Sequence, residues 1–131
     1  MVVSDYGNEL EGVKDRHSLI IAAMDSNLKD LMNKTVTPDD FVSMAQTSSS
    51  QTTALISELI QVNPPPEWRA SYINYDEALK KYNDYLSETI VLANMMKGNA
   101  STPDLTNEMS KIGSLRNDTY SFIEKANETK P

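Results

Sequence analysis

The sequence predicts an all-α protein, an up-down-up-down antiparallel four-helix bundle with helices over residues 8–32, 38–62, 66–97 and 103–127 in a single domain, 1–131. Three phrases, Thr37-Pro38-Asp39-Asp40, Pro64-Pro65-Pro66-Glu67 and Thr102-Pro103-Asp104, cut the chain into four nearly equal pieces, and each is a helix-start signal. Proline at the first helical position gives up an N–H that would lack a partner anyway, and the acidic residue beside it faces the positive end of the helix dipole. Within the pieces apolar residues recur at steps of three and four. The short connections force consecutive helices to run antiparallel.

The first helix carries Leu10, Val13, His17, Ile20, Met24, Leu28 and Leu31 on one stripe. The second is less regular. Phe41, Met44 and Ala45 open a stripe, Ser48 and Thr52 interrupt it, and Leu55, Ile56, Leu59 and Ile60 resume it, so a kink or looser turn is expected near Thr47 to Thr53. Small side chains at Ser48 and Thr52 would alternatively let two helices approach closely.

The third helix repeats the pattern most strictly, with Trp68, Tyr72, Tyr75, Leu79, Tyr82, Leu86, Ile90, Ala93 and Met96 on one face and Tyr85 off it, on an exposed flank. It should stop at Gly98, which can take the left-handed conformation that closes a helix. The fourth helix carries Leu105, Met109, Ile112, Leu115, Tyr120, Ile123 and Ala126, and Gly113 within it is expected to mark a close helix crossing. An even number of antiparallel helices puts both termini and the proline turn at one end. The connections 33–37 and 98–102 then lie at the other.

Composition bounds the function. A net charge of −7, with Lys and Arg scattered rather than striped, leaves no footprint for a phosphate backbone, so nucleic acid is not an expected partner. The longest apolar run, Leu19 to Met24, is far too short for a transmembrane segment. Met1-Val2-Val3-Ser4-Asp5 lacks a basic leader, as would a chain whose leader or lipid anchor had been removed. With no cysteine and one histidine, His17, the sequence offers neither the ligand sets of metal or haem bundles nor a nucleophile-base pair. No cofactor, metal site or enzyme activity is expected.

Four groups of residues are candidates for function. Trp68, Tyr72, Tyr75 and Tyr82 form an aromatic row that suits either core packing or a ligand surface, and His17 suits either a half-buried core position or a pH-sensitive ligand contact. Phe41 to Ser57 contains no charged residue, so Gln46, Ser50, Thr53, Ser57 and Ile60 could form an interface with a protein partner or a second copy. Asn33, Asn99, Asn117 and Asn127 begin Asn-x-Ser/Thr sequons, two of them in the terminus-distal connections.

Together these features imply a non-catalytic binding or sensory module, extracytoplasmic or at the cell surface, with a small-molecule ligand or a homodimer seam. In architecture alone it resembles the helical-bundle ectodomains of membrane receptors. The alternative is a cytoplasmic adaptor or assembly protein that uses the uncharged second helix to pack against a partner.

Overall fold

The computed structural model describes residues 5–131, and it is a four-helix bundle. The stub Met1 to Ser4, read above for a leader, lies outside the described residues. The helices are α1 (Asp5–Met32), α2 (Pro38–Gln61), α3 (Arg69–Lys97) and α4 (Thr102–Glu128), and a single 3-10 turn, Pro66–Trp68, leads into α3. No helix among the described residues is long and apolar enough to cross a membrane.

Helix ends follow the sequence signals, with two shifts. Thr37 Oγ1 accepts the Asp40 N–H at 3.1 Å and Ser101 Oγ accepts the Asp104 N–H at 3.4 Å, each with proline in the first turn. At the third start the chain does not enter an α-helix at residue 66. Consecutive prolines lack donors and restrict the residues before them, so a tight turn closed by Trp68 N–H on Pro65 O comes first. The other shift is at Gly98, which has φ −85°; the left-handed residue is Asn99, with φ 56°. Ala100 N–H then bonds Met95 O and Asn99 N–H bonds Met96 O, the paired bonds of a Schellman closure. α1 ends the same way around Lys34, with φ 60°.

The helix α3 is central. It packs against α2 on one side and α4 on the other, and α1 packs mainly on α2. The Tyr6 and Trp68 rings meet at a tilt of 59° with centroids 5.8 Å apart and Ser71 Oγ donates to Ala126 O at 2.7 Å, which joins the chain ends to the proline turn. At the far end Lys97 on α3 reaches Asp39 on α2 at 2.8 Å.

Packing corrects three expectations. The helix α2 runs without a break through Thr47 to Thr53: Ser48 and Thr52 are buried, and Thr52 Oγ1 donates to Ser48 O, so its polar group is satisfied within the helix. Tyr85 is not on an exposed flank but buried, stacked on Tyr82 with centroids 5.2 Å apart. A helix covered on two sides buries two stripes, and Ser71, Ala78, Tyr85 and Leu92, spaced by seven, form the second. Gly113 marks no close crossing, since a Cβ built there meets nothing within 4 Å.

Candidate functional site

The aromatic row divides in the structure. Tyr75 and Tyr82 lie in the core with His17, whose ring meets theirs edge-on at 5.8 and 4.8 Å between centroids. His17 Nδ1 is 2.9 Å from Tyr75 Oη, and burial lowers the imidazole pKa to about 4, so the ring is neutral at pH 7. Its Nε2 has no partner among the described residues. Burial likewise holds the Tyr75 and Tyr82 hydroxyls protonated. Trp68 and Tyr72 are half-buried nearer the termini, where Trp68 lies over Gly7 so closely that a Cβ on Gly7 would stand 2.9 Å from Trp68 Cζ2.

Gln46, Ser50, Thr53, Ser57 and Ile60 are all exposed along one face of α2. Thr53 is tied to α3 by Asn83 Nδ2 at 3.1 Å. Beside this face, α1 presents Leu19, 71% exposed, at a shallow groove with Ala23, Gln51 and Ala54, bordered by a two-pronged Arg16–Glu58 pair at 2.7 and 2.8 Å. Asn33 and Asn99 are exposed in the two terminus-distal turns. Asn117 and Asn127 lie on α4, where Asn127 Oδ1 accepts from Lys14 Nζ at 2.9 Å.

None of these groups lines the cleft between α1 and α4. The backbones of α1 and α4 do not approach closely along their length. Side chains span the gap: Lys14 to Asn127 near the termini, and Arg116 Nη2 to Asp25 Oδ2 at 2.7 Å further along. Beyond Arg116 the gap widens into a cleft of about 570 Å³, open to solvent, lined by Asp25, Leu28, Lys29 and Met32 of α1, Tyr85 and Leu92 of α3, and Met109, Ile112, Gly113 and Arg116 of α4.

Three properties distinguish this cleft. Its wall is mainly apolar, with Leu28, Met32, Leu92, Met109 and Ile112 contributing. The Tyr85 hydroxyl, like those of Tyr6 and Tyr82 elsewhere in the core, is buried without a hydrogen-bond partner among the described residues, a state that costs about 1–3 kcal/mol, and of the three only Tyr85 is in the cleft lining. Gly113 costs the middle of α4 roughly 1 kcal/mol against alanine, and no neighbouring atom requires its small size. What the glycine leaves is volume in the cleft. Among the described residues no three His, Asp or Glu side chains come together to hold a metal ion.

The sequence reading does not find this cleft; the signals that could have found it are the heptad Ser71, Ala78, Tyr85, Leu92 on α3 and the glycine in α4. Comparison with known proteins finds no family model, no curated relative and no solved structure that matches this chain.

Proposed function

We propose that the protein is a non-catalytic binding module that takes a small, largely apolar ligand in the α1/α3/α4 cleft. The observation that carries this reading is the conjunction, in one apolar opening, of an unpartnered buried Tyr85 hydroxyl and a helix-interior glycine facing open space. The volume lies within the 300–1,000 Å³ typical of ligand sites, and apolar walls with a few convergent polar groups are their usual make-up. The neutral fluorescent probe N-phenyl-1-naphthylamine tests it. Wild-type protein is expected to bind the probe and shift its emission to the blue, while Gly113→Leu, whose side chain projects into the cleft, loses binding and keeps the helical circular dichroism. Equal binding by both proteins would overturn the assignment.

A second reading rests on the α2 face. Gln46, Ser50, Thr53, Ser57 and Ile60, with Leu19 beside them, form an exposed uncharged surface on a chain of net charge −7, and this supports contact with a protein partner or a second copy. Ser50→Arg and Ser57→Arg are expected to lower self-association in sedimentation without changing stability; an unchanged distribution removes this surface from consideration. The exposure of Asn33 and Asn99 in turns at one end supports an extracytoplasmic setting, with glycan mass on protein isolated from its source as the check.

A further inference from the structure

We infer that the ligand of the α1/α3/α4 cleft is an amphipathic carboxylate, its charged head at Tyr85, Lys29 and Arg116 and its hydrocarbon body against Leu92, Met109 and Ile112. This rests on the binding reading above and specifies the chemistry of the site.

The head group follows from what the cleft lacks and what it carries. Tyr85 offers a buried hydroxyl with no acceptor, and a phenol held protonated, with burial pushing its pKa up to about 12, can donate at any physiological pH. Charge in the lining is unequal. Lys29 and Arg116 are cationic, while Asp25 is the one carboxylate and is already engaged by Arg116 Nη2. In a protein of net charge −7 the lining carries two cations to one carboxylate, with Asp25 acting on the Tyr85 hydroxyl ahead of Arg116, and low-dielectric apolar walls strengthen these fields. An ammonium ligand would meet two cations and compete with Arg116 for Asp25. A sugar would leave most of its hydroxyls against an apolar wall. A carboxylate can accept from the Tyr85 hydroxyl and from guanidinium N–H groups together, the strong charge-assisted arrangement for this pair of donor types.

The body follows from the wall. Leu92 and Ile112 are buried at the floor, whereas Met109 is 43% exposed at the rim. Methionine is flexible and polarizable and adapts to ligands of varied shape. Gly113 keeps the α4 side of the cleft free of a side chain one residue beyond Ile112, where a chain can pass.

Three ligands of the same chain length test the inference: octanoate, octanol and octylamine, titrated calorimetrically into the full chain below their micellar concentrations. Octanoate is expected to bind at least tenfold more tightly than octanol, and octylamine weakest. Tyr85→Phe is expected to lower octanoate affinity about five- to tenfold while leaving apo stability unchanged or raised, because the hydroxyl it removes has no partner in the apo protein. A merely structural Tyr85 would give the opposite pattern. Lys29→Gln should narrow the octanoate–octanol gap without changing octanol affinity. Octanoate and octanol binding equally, with both lost in Gly113→Leu, would keep the cleft and overturn the carboxylate; preference for octylamine would do the same. Failure of all three ligands to bind the wild type would overturn the cleft itself.

Discussion

The neutral His17 makes folding stability depend on pH in a way that can be worked out from its surroundings. The ring is wholly buried in the core between Tyr75 and Tyr82, and desolvation lowers its pKa to about 4 from an ordinary 6.5. Between those values the unfolded chain binds a proton that the native state does not. Stability is therefore fully present above about pH 6.5 and falls as pH drops toward 4, with the opposite sign to a histidine that gains an anionic partner. At about 1.4 kcal/mol per pH unit the loss from this residue is about 1.4 kcal/mol by pH 5.5 and about 2.5 kcal/mol by pH 4.5. Urea denaturation at pH 7.5, 6.5 and 5.5 measures it before most carboxylates titrate. His17→Gln supplies the control, since an amide can keep a hydrogen bond to the Tyr75 hydroxyl but does not titrate. The wild-type unfolding free energy is expected to fall by about 1.4 kcal/mol more than that of the variant over this window. Parallel curves for the two proteins would refute the argument, because they would mean that His17 is protonated as easily in the fold as out of it.

Two further substitutions probe the helix ends. Gly7→Ala should destabilise the protein by about 1–3 kcal/mol in thermal or urea unfolding despite alanine's better helix propensity, because its Cβ would stand 2.9 Å from the Trp68 ring. Lys34→Gly should stabilise by up to about 1 kcal/mol, since Lys34 closes α1 in the left-handed region that only glycine adopts without strain; Asn99→Gly should gain less, as asparagine tolerates that conformation better.

The architecture was legible because its signals are local. Pro38 and Pro103 sit where the helices begin, and the α1 stripe from Leu10 to Leu31 is the one the core buries, with Leu28 half-buried. What a stripe does not show is how many neighbours a helix has. One stripe on α3 leaves Tyr85 on an exposed flank, whereas two neighbours bury it, and a glycine in a helix such as Gly113 has two opposite meanings: no room, or room kept free. Only the separation between α1 and α4 decides between them. Spacing puts Tyr75 and Tyr82 in one row on α3 and His17 on the stripe of α1, yet whether an aromatic row faces the core or a ligand depends on that same missing dimension.

The position of the cleft has a simple physical cause. Around an up-down-up-down bundle, three of the four neighbouring pairs are joined by short turns, which hold each pair at close packing distance; α1 and α4 are the pair that no turn joins. Their spacing is set by side chains alone, among them the polar bridges Lys14 to Asn127 and Asp25 to Arg116. Few α4 side chains are fully buried, Ile112, Thr119 and Ala126 against ten in α3, and the helix packs on α3 rather than on α1. Such pairs, half-exposed in the case of Asp25 and Arg116, contribute on the order of 0–1 kcal/mol each, so widening this seam costs little beside separating α3 from α2 or α4. A bundle that must admit a ligand while keeping its core intact can open most cheaply at the seam without a turn. The unpartnered Tyr85 hydroxyl and the side-chain-free position of Gly113 both lie along that seam.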